Sequence, residues 1–591
     1  MNSIRFILPF AKPYGRRYLA GLLMVPLSIG SLLAIPWLTG ECVDILRASM
    51  GPQAPATIPL TKQLALFLAA IVIFAFTRGL SLFAIRWFII SASRKVEFAL
   101  RDKLFAHLQH LDQGFYNRWK TGDILARCSQ DVERVRVLAG PIIMYSANTV
   151  CMLLIAIPLM ISVSGWLTLL LMVPLSLLTL SVRKIGPRVH AAVSKAQETL
   201  SGLSSLSQED FAGIRVVKSF AQEKAEGERF RKLSSEYLDD NMTTARIQAW
   251  MHPLVAGVNE LSLMLLLLLG GYYLLGGEGA LSLGEFIKFA GYQFQLIWPM
   301  ISIGWVVNQF HRASASVVRL EAILKSESSI TLPAEPIRPA TGRIEGAISI
   351  RGLDFAYNGK NILEDISIEV PAGHTVAITG RTGSGKSTLL KTLPRIVAVD
   401  DGRIFIDGTD INLLPIDLLR RSIGYVPQES FLFSRSISGN IGFGFDEPDE
   451  GAVLSAARIS RLEKDIDQFP RGWNEQVGER GVTLSGGQKQ RAALARALLI
   501  QPSILLLDDS LSAVDTQTEK EILSELRTAT GTTTTLVSAQ RISSILHADR
   551  IYVLDQGRIA EEGTHDELLK MNGLYAETYR LQLLSDELEG M

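Results

Sequence analysis

The run Gly380-Arg381-Thr382-Gly383-Ser384-Gly385-Lys386-Ser387, followed by Thr388, carries the most specific chemistry in this sequence. Glycines at this spacing let backbone N–H groups close around phosphate oxygens. The lysine reaches the outer phosphates, and the serine hydroxyl can ligate Mg²⁺. The strand-like Thr375 to Ile378 precedes the loop and the helical Thr388 to Leu393 follows it. Phosphate binding at a helix start needs that setting.

More groups of the same kind follow in order. Gln428 lies in Tyr425-Val426-Pro427-Gln428. Leu484-Ser485-Gly486-Gly487-Gln488 opens a helix running to Leu499, and the buried-strand run Ile504 to Leu507 ends in Asp508. Ser512-Ala513-Val514-Asp515 comes next, and Gln540 stands after the apolar strand Thr534 to Ser538. A phosphate-binding loop alone specifies nucleotide binding. The ordered set narrows the class.

The chain that must position these groups has 591 residues, too many for one core, so at least two domains are expected. Its 48% hydrophobic content is uneven, with long apolar runs before about residue 310 and ordinary soluble sequence after it. A spanning helix needs roughly 20 mostly apolar residues. Six runs meet this: Tyr18 to Leu38, Leu64 to Ile90, Val137 to Val163, Trp166 to Val182, Leu254 to Leu275 and Phe286 to Val307. The length of the first run and the spans behind it favour a retained helix over a cleaved signal peptide.

Lysine and arginine crowd the segment between spans two and three, from Arg94 to Arg136, and that between spans four and five, from Arg183 to Lys232. The loop after span one offers only Arg47 and Lys62, and the Gly276 to Gly284 loop has no basic residue. Both termini and both long loops are therefore expected in the cytoplasm. The long loops read as helical extensions of the spans. The domains are expected at 1–326 in the membrane, a proline-spaced linker at 327–342, and a soluble domain at 343–591. Net charge is zero, which gives no sign of a nucleic-acid partner. Cys42, Cys128 and Cys151 are scattered, which argues against a disulfide framework or a zinc site.

The ordered motif set resembles the ATP-binding-cassette superfamily. With the spans ahead of it, nearly the whole chain resembles a half-transporter of the exporter type. The resemblance implies a six-span α-helical membrane domain with cytoplasmic extensions, then an α/β P-loop nucleotide-binding domain with a helical subdomain, using ATP and Mg²⁺. It implies that Tyr357 stacks on adenine, that Gly380 to Thr388 hold the phosphates, and that Ser387, Gln428 and Asp508 serve the metal. Gln428 would also sense the attacking water, and Asp515 would couple two sites. Ser485, Gly486, Gly487 and Gln488 would close on nucleotide held by another cassette, so a second half-transporter is the expected partner, beside the lipid bilayer. Thr121 to Val135 and Gln208 to Ala221 match the family's coupling helices. A bacterial cytoplasmic membrane is the expected location.

Two positions depart from the pattern. The residue after the Mg²⁺ aspartate is normally glutamate and here is Asp509. The switch position is normally histidine and here is Gln540. A carboxylate one methylene short is withdrawn by about an ångström, and misplacement on that scale costs on the order of 10²-fold in rate. Losing a γ-phosphate contact removes about 3 kcal/mol of transition-state stabilisation, by analogy with lost oxyanion donors. The sequence therefore predicts a site that binds ATP but hydrolyses it poorly, and the resemblance implies the weaker half of a heterodimeric exporter for amphipathic drugs, lipids or peptides. A slow homodimeric exporter and a nucleotide sensor without transport are the alternatives. Asn259, Glu260, Gln293, Gln295, Asn308, Arg78 and Arg86 are polar groups in or near spans that could face a cavity, with Trp298 and Trp305 beside it or in an aromatic belt.

Overall fold

The structure is a computed structural model that describes residues 2–49, 60–275, 281–357, 359–478, 481, 483–529 and 531–589. Most of the Gly276 to Gly284 loop and the side chains of Arg183 and Asn259 lie outside the described residues. The chain forms two compact units. One comprises Met1–Gln109 with Lys120–Ser326, the other His110–Trp119 with Glu327–Met591.

The described residues of the first unit are helical apart from short turns. Among the described residues four helices are long and apolar enough to cross a membrane: Ser3–Ser49, Leu60–His110, Thr121–Val163 and Ala256–Leu274. Of the two other expected spans, Trp166 to Val182 falls in the Gly165–Ala212 helix, where the shorter apolar stretch Gly165–Pro174 is described. Phe286 to Val307 falls in the Leu283–Leu324 helix, whose apolar character is diluted by Lys288, Gln293 and Gln295. The Leu60–His110 helix has 51 residues. At about 1.5 Å per residue it is more than twice as long as the ~30 Å hydrocarbon core, so it continues well outside any bilayer it crosses.

Small residues let the helices of this unit meet closely, as membrane packing favours. A Cβ at Gly284 would lie 2.2 Å from the Gly40 carbonyl, and one at Gly291 would lie 2.5 Å from Pro36. Between them these contacts join the Gly15–Ser49 and Leu283–Leu324 helices. Val25, Ile29, Ile85, Ile89, Phe289 and Leu296 belong to the core behind this seam. Pro141 falls in a π-helical turn, Leu138–Ile142, where the Tyr18 hydroxyl donates to the Ala139 carbonyl at 2.7 Å.

The second unit is built on two sheets. The strands are β1 (Ile348–Tyr357), β2 (Lys360–Val370), β3 (Thr375–Gly380), β4 (Ile404–Ile406) and β5 (Thr409–Asp410), then β6 (Ile423–Val426), β7 (Ile504–Asp508), β8 (Thr534–Ser538), β9 (Arg550–Asp555) and β10 (Arg558–Gly563). β2-β1-β4-β5 form an antiparallel sheet, and β10-β9-β3-β8-β7-β6 a mixed one in which β9, β3, β8, β7 and β6 run parallel. Every residue of β7, Ile-Leu-Leu-Leu-Asp, is buried, as a strand covered on both faces must be. One core lies between the sheets around Leu363, Ile378, Leu389 and Leu536. A second joins Val426 and Leu505 to the Glu450–Ile459 and Gly486–Leu499 helices.

Candidate functional site

Parallel strands place the residues that follow their carboxyl ends along one edge, which is where open α/β sheets bind ligands. Here β3 runs into Gly380 and the P-loop, β7 ends at Asp508, β8 leads to Gln540, and β6 leads to Gln428. The structure thus brings together groups taken from 160 positions of sequence between Gly380 and Gln540.

The loop conformation depends on its glycines. Gly380, Gly383 and Gly385 have φ of +143°, +85° and +105°, and a Cβ at Gly380 would sit 2.1 Å from the Leu554 carbonyl. Gly385 caps the Lys386–Thr392 helix without a side chain, which leaves its first N–H groups facing the loop. Ser384 is buried and its hydroxyl has no hydrogen-bond partner. Lys386 is 7% exposed. Its ammonium donates to the loop's own carbonyls, Gly380 at 2.7 Å and Arg381 at 3.0 Å. Burial lowers its pKa, against the attraction of Asp509 and Asp508. Spare donors, a buried cation and a cradle in which a Cβ at Gly380 or Gly385 would clash fit a polyphosphate.

Ser387 Oγ donates to Asp508 Oδ1 at 2.8 Å, and the Tyr425 hydroxyl donates to Asp508 Oδ2 at 3.4 Å. Asp508 is 1% exposed. These are hard oxygen donors of the kind Mg²⁺ takes one or two at a time beside phosphate. Among the described residues no cluster of three or more His, Cys, Asp or Glu could hold a metal unaided.

Asp509 sits in left-handed backbone at φ +47°, with its N–H donating to the Ser538 carbonyl at 2.8 Å. Such geometry in a non-glycine residue is strained and clusters at functional sites. Its carboxylate accepts from Gln428 Nε2 at 3.4 Å. Burial pushes its pKa up and Asp508 adds to this, while Gln540, Lys386 and Gln428 oppose. The Gln540 side chain is exposed. Tyr357, at the end of β1, is half-buried and packs edge-on against Phe355, ring centroids 4.8 Å apart.

Ser485 caps the Gly486–Leu499 helix in a reciprocal box with Gln488, leaving Ser485 and Gly486 exposed. Gln488 Nε2 donates to Asp465 at 3.4 Å. From the same helix, Gln490 Nε2 donates to Ser512 Oγ at 3.3 Å, and Ser512 Oγ donates to the Asp509 carbonyl at 2.9 Å. Asp515 is exposed and accepts from the Thr518 N–H at 2.9 Å. Among the described residues the side-chain hydrogen bonds of Ser485 and Gln488 stay with the helix start and Asp465.

Two family models match in tandem. One described as the ABC transporter transmembrane region covers residues 18–300, and one described as ABC transporter covers residues 363–512. A Bacillus subtilis protein named as a probable multidrug resistance ABC transporter ATP-binding/permease protein, YheI, is 35% identical over 98% of both chains. The chain belongs to the exporter-type ABC transporters. An ATP-dependent lipid A-core flippase of Syntrophus aciditrophicus is 29% identical over 99% of this chain and 96% of its own. The solved structure of a bacterial Atm1-family ABC exporter with ATP bound superposes with a TM-score of 0.80 at 28% identity, covering 96% of this chain and 98% of that one. The fold is thus a helical transmembrane domain followed by an α/β nucleotide-binding domain, and the family binds ATP, usually with Mg²⁺.

Sequence reasoning gave no role to Tyr425, whose hydroxyl holds Asp508, or to Gln582, whose amide meets the switch loop. Gln582 belongs to no motif. Tyr425 stands in the quoted Tyr-Val-Pro-Gln run, three residues before Gln428, and is the one that could have been found.

Proposed function

We propose that this ABC transporter chain is the half of a heterodimeric exporter whose own ATP site retains nucleotide, while its signature helix serves a competent site formed with a partner. The observation that carries the reading is the pairing of Asp509 and Gln540 with an otherwise complete binding apparatus. Lys386 and the P-loop N–H groups bind and orient the phosphates, and Tyr357 holds the base. Ser387, Asp508 and Gln428 hold Mg²⁺, which when bound neutralises charge on the phosphate oxygens. Asp509 is the group left to orient water. Its short, half-buried carboxylate suits that task badly.

Ser485, Gly486, Gly487 and Gln488 present an exposed helix start to the partner's nucleotide, and Asp515 links the two sites. The domain limits are placed at 1–326, 327–342 and 343–591, with six spans, both termini in the cytoplasm and a bacterial inner membrane as the location. Thr121 to Val135 and Gln208 to Ala221 carry motion from cassette to spans, and the exposed Phe211, Val216 and Phe220 supply an apolar surface for the second of these. The named relatives handle drugs and a lipid, which supports amphipathic substrates. Gln293 is a candidate contact, being 4% exposed with its Oε1 unpartnered.

The test is ATPase activity of the purified full-length chain alone and with its partner half-transporter, in liposomes with and without candidate amphiphiles. Negligible hydrolysis alone and substrate-stimulated hydrolysis with the partner are expected. Robust turnover by the chain alone overturns the heterodimer reading.

A further inference from the structure

The Leu574–Glu589 helix ends the described chain, beyond every recognised motif. Its first turn is anchored by Glu561, which accepts from the Leu574 N–H at 2.5 Å and the Tyr575 N–H at 3.1 Å. Tyr575 is 1% exposed, and its hydroxyl is 2.8 Å from His565 Nδ1. Two turns later Gln582 reaches the switch loop with both ends of its amide. Nε2 donates to the Gln540 carbonyl at 2.8 Å, and Oε1 accepts from the Ile542 N–H at 2.8 Å.

A planar amide that donates to one peptide group and accepts from another two residues on fixes the loop's orientation as well as its distance. The backbone N–H of Gln540, on the preceding peptide plane, acts on the Asp509 carboxylate and favours its charged form. On the other side of the loop the buried Glu519 pairs with Arg541 at 3.5 Å and accepts from Ser544 Oγ. The switch is therefore gripped from the core by Glu519 and from the surface by Gln582. The helix has a second point of approach: Leu574, Glu577, Thr578 and Leu581 line a cleft whose other wall includes Gly380 and Arg381, where the P-loop begins.

We propose that Gln582 is a positioning residue of the ATP site, through which the C-terminal helix sets the Gln540 peptide and so the placement of the Asp509 carboxylate. This rests on the reading of Asp509 and Gln540 as the groups that face water and γ-phosphate. Gln582 itself touches neither, so it acts on turnover and leaves ground-state nucleotide affinity alone.

The test uses the full-length chain assembled with its partner in lipid nanodiscs, carrying Gln582→Met or Gln582→Glu. Methionine keeps the length and loses both hydrogen bonds; glutamate keeps the acceptor for Ile542 and turns an oxygen toward the Gln540 carbonyl. Single-turnover cleavage of ATP at this chain's site and equilibrium ATP binding are measured in two backgrounds, the native chain and Asp509→Glu/Gln540→His. Because Gln582 holds backbone, its effect persists when the side chain at 540 changes. A fall of about tenfold in cleavage rate for both variants is expected, with ATP affinity within about threefold, the size set by two modest hydrogen bonds.

If the native site proves fully active, the impaired-site reading fails, yet the Gln582 effect must still appear there. Unchanged cleavage in both backgrounds overturns the proposal. So does a loss of ATP binding equal to the loss of rate, with a lowered unfolding temperature, which marks a structural staple only. Native cleavage by Gln582→Glu alone shows that the Gln540 arm is idle, and also overturns it.

Discussion

Ser387 Oγ and Asp508 Oδ1 are 2.8 Å apart, a hydrogen bond across 121 positions of sequence that closes the P-loop helix onto the end of β7. β8 lies between β3 and β7 in the sheet, so the pair meets above the strand that leads to the switch. In the proposed function the binding groups are complete, and the departures from a hydrolytic site are Asp509 and Gln540.

That division predicts the outcome of restoring both groups. The double change Asp509→Glu and Gln540→His is expected to raise turnover at this site on the order of 10²-fold, the cost assigned to ångström-scale misplacement. ATP affinity is expected to stay within about threefold, since the groups that bind ATP are untouched. Single-turnover hydrolysis and equilibrium binding of a fluorescent ATP analogue measure the two quantities separately.

The raised pKa of Asp509 makes a prediction about stability. Burial favours its neutral acid in the folded protein, while the unfolded carboxyl titrates near its ordinary value of about 3.9. Below that value both states are protonated and nothing is lost. As pH rises through the window between the two values, the unfolded state ionises first and the folded state loses stability, fully so once pH passes the folded-state value. Asp509→Asn is therefore expected to unfold at a higher temperature than the native chain at pH 7, with the difference closing as pH falls toward 4. Thermal unfolding across that range checks it.

Gly385 tests the cradle. With φ +105°, and with Leu363 Cδ2 at 2.7 Å and the Ile362 carbonyl at 3.0 Å from an added Cβ, alanine there is both strained and crowded. Strain of this kind costs about 1–3 kcal/mol. Gly385→Ala is expected to lower ATP affinity at least tenfold by displacing the loop, read by the same binding assay. Gly383→Ala has the strain without the clash and is expected to fall between Gly385→Ala and native.

Asp112 joins a short helix to the linker. Oδ1 accepts from the Phe115 N–H at 2.9 Å as the cap of Gln113–Arg118, and Oδ2 accepts from the Ser329 N–H at 2.6 Å and from the Ser329 hydroxyl. Asp112→Ala loses the cap, worth about 1 kcal/mol, and frees Ser329 as well. Substrate transport per ATP hydrolysed is expected to fall, with ATP affinity unchanged. Ser329→Ala, which leaves the cap in place, is expected to show the smaller effect in the same transport and ATPase measurements.

The residues that act through their own backbone neighbourhood were legible in the chain. A glycine-rich loop between strand and helix is specified within about ten residues, because the demand for positive φ and for free N–H groups is local. The apolar runs show a membrane half for the same reason, although their number is less legible: Lys288, Gln293 and Gln295 dilute one helix, and the apolar stretch described in another is short. Asp509 and Gln540 stand out as departures because each sits at a fixed offset from a recognisable strand. What those groups touch depended on tertiary structure. The strand order β3-β8-β7-β6, which sets Ser387 on Asp508 and Gln428 on Asp509, is a long-range pairing that no local spacing encodes. Gln582 lies 42 positions from the carbonyl it holds and belongs to no motif. Its contact exists because Glu561, His565 and Tyr575 fix where the last helix begins. Sequence determined which residue types could meet a nucleotide; packing decided that Gln582 holds the backbone at Gln540 and Ile542, since a hydrogen bond's partner is chosen by position in space and not by distance along the chain.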